Sequence, residues 1–188
     1  CSSDSPCAAS PATNSAAVIE LRPLTPAFLE AVLDGRKDEA AAILGVELPE
    51  EFPREGERRF LTLRLGQMRE DARFEDWSPF AVVLEGRMIG HAGYHGPPGV
   101  NTKKNPDAIE VGYTIEAPYR RRGYATAAAT ELLRRAEERG IRHFVACTTP
   151  DNEPSLALIR GLGFVQTGEA MDEEDGLELV FELERPEA

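Results

Sequence analysis

The chain has 188 residues, a length that suits one domain with a core of its own, and a formal net charge of −12 that argues against nucleic acid as a partner. No apolar run approaches a membrane span. Three cysteines, an odd count, imply no disulfide framework and point to a reducing compartment, and the three histidines are not completed into a metal ligand set by any Cys or acidic cluster.

Residues 1–17 are small and polar, so a disordered tail is expected there, followed by a single domain over 18–185. The tail lacks the apolar core of a secretory signal. Residues 18–24 read as a strand with Glu20 and Arg22 on its polar face, after which Pro23 and Pro26 turn the chain into helices at 28–33 and 37–44. A loop through Pro49 and Pro53 leads to a helix over about 57–72, whose stripe is Phe60, Leu61, Leu65 and Met68. Residues 80–85 and 88–94 should pair as a hairpin turning at Glu85-Gly86-Arg87, and a loop rich in Gly, Pro and Asn covers 95–107.

The next stretch, IEVGYTIEAPYRRRGYATAAATELLRRAEERG, carries the most chemistry. Ile109, Val111, Tyr113 and Ile115 alternate with Glu110, Gly112, Thr114 and Glu116, the period of a strand with two different faces. Pro118 ends it. After Arg120-Arg121-Arg122-Gly123, an apolar stripe of Ala125, Ala128, Ala129, Leu132, Leu133 and Ala136 predicts an amphipathic helix that stops at Gly140. A turn of this kind aims free backbone N–H groups and the positive end of a helix dipole at one point, where phosphate binds. The arginines taken alone also fit a solvated basic turn.

Beyond it, 143–148 reads as a strand and 154–160 as a helix with Asn152 as N-cap and Pro154 in its first turn. Strands 163–170 and 176–183 then flank the acidic run 172–175. Cys147 lies in the apolar strand; an acyl-accepting thiol there is the alternative to a small packed residue. From Glu169 to the end there are nine acidic residues and one arginine, so an acidic rim that gathers cationic substrates stands beside plain solubility as its reading.

Arg120-Arg121-Arg122-Gly123-Tyr124-Ala125 resembles the Arg/Gln-x-x-Gly-x-Gly/Ala signature of the GCN5-related N-acetyltransferases. Asn152-Glu153-Pro154-Ser155 with Arg160-Gly161-Leu162-Gly163-Phe164 resembles their second signature, and Glu110-Val111-Gly112-Tyr113 is similar to the central strand of the ribosomal-protein branch. The resemblance implies a mixed α/β fold, mostly antiparallel, with two central parallel strands that splay around acetyl-coenzyme A (acetyl-CoA). It assigns the coenzyme to Tyr113, Thr114, Ile115, Arg120, Arg121, Arg122, Gly123, Tyr124, Ala125, Thr126, Asn152 and Ser155, with no metal. A doubly wound dinucleotide fold is disfavoured because no Gly-x-Gly-x-x-Gly is present.

Acetyl transfer to an amine needs a base, because an alkylammonium with a pKa of about 10 is mostly charged at neutral pH. Glu110 is the candidate: Gly112 on the same strand face leaves room for a substrate, and its apolar neighbours favour proton uptake. A structural carboxylate is the competing reading. Backbone N–H groups near Thr114 to Glu116, where the family's strand bulges, would hold the oxyanion. The family's usual tyrosine acid is replaced by Ile159, which leaves Tyr94, Tyr119 and Tyr124 as donors and favours the alternative of a non-catalytic acyl-CoA binding or sensing module. The acceptor is expected to be a cationic small-molecule or peptide amine, with no nucleic-acid or membrane partner and no sequence signal for or against a homodimer. Dependence on acetyl-CoA implies a cytoplasmic protein, against a lipid-bearing Cys1.

Overall fold

The computed structural model describes residues 18–172 and 176–186, so the expected tail at 1–17 and most of the acidic run lie outside the described residues. Strand β1 (Glu20–Pro23) ends at a proline, and Thr25 then caps α1 (Pro26–Leu33) by accepting from the Phe28 N–H at 3.3 Å. Helix α2 (Lys37–Leu44) stops at Gly45, whose φ of 70° suits a residue without Cβ.

The third helix starts and ends two residues earlier than the expected 57–72. Helix α3 (Glu55–Glu70) gives way at Asp71, whose carboxylate accepts from the Arg73 N–H at 3.0 Å and competes with the helical ladder. Residues beyond it form a separate turn, α4 (Arg73–Asp76). The hairpin of β2 (Phe80–Leu84) and β3 (Arg87–Tyr94) turns on two residues rather than three, Glu85 and Gly86, both at positive φ as a tight right-twisted connection requires. There follow β4 (Ala108–Ile115), a 3-10 turn at Ala117–Tyr119, α5 (Tyr124–Glu138), β5 (His143–Thr148), α6 (Glu153–Gly161), β6 (Val165–Asp172) and β7 (Gly176–Glu184).

The strands make one sheet in the order β1-β2-β3-β4-β5-β7-β6, antiparallel at every junction but β4–β5, so the mixed, mostly antiparallel fold is the one the sequence implies. Alternation along β2 splits the core: Ala81 and Val83 meet Phe28, Leu61 and Met68 of α1 and α3, whereas Val82 joins Ile109, Val111, Leu132 and Leu133 under α5. Helices therefore cover both faces.

The parallel pairing is brief. It runs Ala108↔His143, Ile109↔Phe144, Glu110↔Val145, and after Glu110 the strands part. Strand β4 stays with β3 from Val111 to Ile115, and β5 stays with β7 over all six of its residues, so each half of the sheet follows its own neighbour. Gly90 permits the first attachment, since a Cβ there would lie 2.1 Å from the Thr114 carbonyl oxygen. The bulge expected on β4 is not found: β3–β4 register is unbroken, and the irregularity lies between β2 and β3 at Val82/Val83.

Leu132 is fully buried in this core. Leu132→Ala should therefore cost about 2–5 kcal/mol in urea unfolding, the usual range for a leucine deletion that leaves a cavity. Leu63→Ala, at a position 57% exposed, should stay within about 0.5 kcal/mol of the parent.

Candidate active site

The fork between β4 and β5 opens into a cavity of about 700 Å³, a size that suits a large cofactor or substrate. One end of it is the basic turn. Arg121 and Gly123 both have positive φ, 60° and 83°, and this curled backbone delivers the chain to α5 without any side-chain cap. Asn152 does cap α6, its Oδ1 accepting from the Ser155 N–H at 3.2 Å. The first N–H groups of α5, at Tyr124, Ala125 and Thr126, are thus left for an external acceptor, with the helix dipole behind them.

The three arginines divide their work. Arg120 Nε donates to the Ile115 carbonyl at 2.7 Å and ties the turn to the end of β4, while Arg121 lines the cavity and Arg122 is exposed outside its lining. Of the twelve residues assigned to the coenzyme from sequence, eleven line it: Tyr113, Thr114, Ile115, Gly123, Tyr124, Ala125, Thr126, Asn152 and Ser155 join Arg120 and Arg121, and Arg122 does not.

A second cavity of about 290 Å³ adjoins it at the fork, lined by His95, Glu110, Cys147 and Glu178 among others. Tyr113, Asn152 and Ser155 line both cavities, and the Tyr113 hydroxyl lies 2.9 Å from Ser155 Oγ where they meet. Strand alternation explains the arrangement: Tyr113 shares its face with Ile109 and Val111 toward α5, while Glu110 shares the other with Ala108 and Gly112.

Glu110 is the last β4 residue paired to β5 and is 2% exposed. Its Oε2 accepts from the Thr102 N–H at 2.6 Å and its Oε1 from Thr102 Oγ1 at 3.2 Å, with His95 Nδ1 at 3.4 Å from Oε1. Asn101 fixes that loop by donating to the carbonyls of Asn105 and Ala108 at 2.7 and 3.0 Å. The space over Gly112 is not left for a substrate, as the sequence suggested; the imidazole of His95 fills it, and a Cβ at 112 would sit 3.2 Å from His95 Nε2. Sequence missed His95 and Thr102. The hairpin register makes His95 the partner of Glu110, with its N–H donating to the Glu110 carbonyl at 2.9 Å, but nothing local in the loop forecasts where Thr102 goes.

The backbone groups expected to serve an oxyanion, near Thr114 to Glu116, are only partly free. Glu116 N–H donates to Ile89 at 2.8 Å, and Thr114, two residues back in the ladder, turns its backbone toward β3 in the same sense. The groups facing the open side are those of Tyr113 and Ile115. Among the tyrosines, Tyr94 is withdrawn, since its hydroxyl donates to the Leu132 carbonyl at 2.7 Å and burial pushes its pKa up to about 12. Tyr119 and Tyr124 line the large cavity, and Ile159 is buried against the second one. Burial also raises the Cys147 thiol to about 12, which disarms it as a nucleophile at neutral pH. Among the described residues, no group of three or more His, Cys, Asp and Glu could hold a metal ion, and no helix is long and apolar enough to cross a membrane.

Residues 19–165 match the family described as "Acetyltransferase (GNAT) domain". The chain belongs to the GNAT acetyltransferase family. It is 30% identical over 92 residues to "Putative ribosomal N-acetyltransferase YdaF" of Bacillus subtilis (strain 168), a match that spans 48% of each chain, so the alignment reaches about half the length of that curated relative. Solved GNAT structures share the fold. RimL, a ribosomal L7/L12 alpha-N-protein acetyltransferase in complex with coenzyme A, superposes with a TM-score of 0.60 at 18% identity, covering 88% of this chain and 93% of that one. Ribosomal-protein-alanine N-acetyltransferase from Brucella melitensis gives 0.58 at 22% identity, covering 88% and 99%.

A Cβ at Gly123 would meet no protein atom within 4 Å, so a side chain there projects into the space before the α5 N-terminus. Gly123→Val should lower acetyl-CoA affinity at least about 100-fold by calorimetry, and cost about 1–2 kcal/mol of stability through its positive φ. Unchanged affinity in the folded variant would show that the turn holds no phosphate.

Proposed function

We propose that this GNAT domain transfers the acetyl group of acetyl-CoA to a primary amine of a protein or peptide acceptor. The observation that carries the reading is the fork itself, where a large cavity headed by an uncapped helix N-terminus meets a small one holding two carboxylates, Glu110 and Glu178. The first suits a polyphosphate; the second suits a cation. The relatives' own names, which specify ribosomal-protein amino groups, support a protein N-terminus over a free metabolite.

In this reading the N–H groups of Tyr124, Ala125 and Thr126, with Gly123 allowing close approach and Arg121 and Arg122 adding field, hold the pyrophosphate. Asn152 and Ser155 flank the arm that leads to the fork. Tyr113 and Ile115 offer N–H groups to the carbonyl oxygen as it becomes an oxyanion, Thr114 lines the wall beside them, and Arg120 fixes the turn. Glu110 supplies the charge that draws a proton from the ammonium, directly or through an intervening group. The Tyr113–Ser155 hydroxyl pair lies where the sulfur would leave, and a thiol of pKa about 8.5 needs little more than such a hydrogen bond.

Ile159 in place of the family's tyrosine favours the second reading, an acyl-CoA binding module without transfer. The buried carboxylate at the fork favours transfer, because coenzyme binding alone has no use for it. The cytoplasm, as a source of acetyl-CoA, is the location this reading requires.

Thiol release from acetyl-CoA, followed with hexapeptides bearing free amino-terminal alanine, serine or lysine and with amino-acetylated controls, tests the proposal. Amine-dependent release is expected, and release with no peptide of the panel contradicts it. Glu110→Gln should leave acetyl-CoA affinity intact and lower kcat/KM by roughly 10²–10⁴-fold. That deficit should shrink as pH rises, because more of the amine then arrives neutral, whereas damage to packing would persist at every pH.

A further inference from the structure

We propose that His95 is the group that takes the proton from the amine, with Glu110 standing behind it as the carboxylate that orients the imidazole and stabilises its charge. This inference rests on the acetyl-transfer reading and specifies its base. Glu110 is badly placed to touch a substrate: it is 2% exposed, and both its oxygens already accept from Thr102. His95 is well placed. As the strand partner of Glu110 it projects from the same face, and its side chain is 47% exposed within the small cavity. Its two nitrogens face different things. Nδ1 lies 3.4 Å from Glu110 Oε1, a separation typical of catalytic contacts that tighten when substrate binds, and Nε2 lies over Gly112, two residues further toward the open fork.

The ring therefore spans the distance between a buried carboxylate and the Gly112 stretch of the small cavity's wall. A carboxylate on Nδ1 favours the tautomer with Nδ1 protonated and Nε2 free to accept. The α3 guanidinium of Arg64 donates to Gln67 Oε1 at 2.9 Å and also to the carbonyl of His95, which fixes the residue's backbone. The groups facing the ring are Glu110 from β4, Arg64 from α3, Asp172 from β6, and Cys147 and Glu178 from the cavity wall. Crowding by protein holds the His95 pKa below the ordinary histidine value; Glu110 pulls it back up, Arg64 lowers it, and Asp172 raises it. A neutral imidazole at pH 7 is the form able to accept a proton.

In the step, Nε2 takes one proton from R–NH3+, leaving R–NH2 and an imidazolium whose Nδ1–H is held by Glu110. The amine lone pair forms the C–N bond to the acetyl carbon, the C–S bond breaks, and its electron pair goes to sulfur. The nitrogen's second proton goes to the thiolate, and the imidazolium returns the first to solvent through its exposed edge. The products are amide, free thiol and one proton.

The test compares full-length wild type, His95→Asn, Glu110→Gln and the double variant with acetyl-CoA and the peptide panel, together with nitrogen-15 NMR of the histidines. His95→Asn should keep acetyl-CoA affinity and lose roughly 10²–10⁴-fold in kcat/KM. The double variant should be no worse than the poorer single variant, because the two residues act as a unit. His95→Ala should regain activity with added imidazole, a response that lost packing would not give. NMR should show Nε2 unprotonated in the neutral form, and a His95 pKa that falls further in Glu110→Gln. A His95→Asn variant within about threefold of an active wild type, or a double variant that loses the product of the two single losses, would overturn the dyad. A wild type that binds acetyl-CoA yet acetylates no peptide contradicts the transfer reading instead.

Discussion

Everything at the site depends on one short parallel ladder that stops. Three residues of β4 pair with β5, and the pairing ends at Glu110↔Val145 because each strand is more extensively bound to its other neighbour. Past that point β4 has backbone groups facing no strand, which an ordinary sheet interior would not tolerate. The opening makes a binding site out of what would otherwise be an unsatisfied ladder. Residue alternation then points Tyr113 and Glu110 to opposite faces of β4, and the two cavities, which meet at Tyr113, differ in chemistry within a few residues.

Those environments are electrostatically opposite. On the α5 side, an uncapped helix start and two turn residues at positive φ concentrate positive potential without requiring the exposed arginines to hold a fixed pose. On the other side, Glu110 and Glu178 face a cavity less than half as large. An acidic chain can thus bind a polyphosphate locally while favouring cationic acceptors elsewhere, and the net charge of −12 is not in conflict with the coenzyme.

The second half of the fold was legible because its signals are local. Strand β5 falls on the residues its apolar run marks, and α5 begins directly after the glycine that its turn needs. Asn152 announces α6 by its capping chemistry. Elsewhere the sequence misled for identifiable reasons: the Asp71 carboxylate accepts from the Arg73 N–H and ends α3 two residues before the expected stop, and the irregularity expected on β4 sits one junction away, at Val82/Val83 between β2 and β3. In the site, the residues that line the large cavity come from contiguous motifs and were readable as a group. The small cavity was not, because His95, Cys147 and Glu178 in its wall, and Thr102 bonded to Glu110 behind it, come from separate segments joined only by sheet register and loop path. Gly112 shows the limit well, since its missing side chain makes room for another residue and not for a ligand.

The most direct measurement is a crystal structure of the full chain with a bisubstrate ligand, a peptide amine joined through an acetyl bridge to the sulfur of coenzyme A. The pyrophosphate is expected on the N–H groups of Tyr124, Ala125 and Thr126, the bridging carbonyl beside Tyr113 and Ile115, and the peptide nitrogen on the Glu110 side of the fork. A coenzyme bound away from the α5 N-terminus, or a peptide nitrogen on the same side of the sheet as α5, would contradict the assignment of the two cavities.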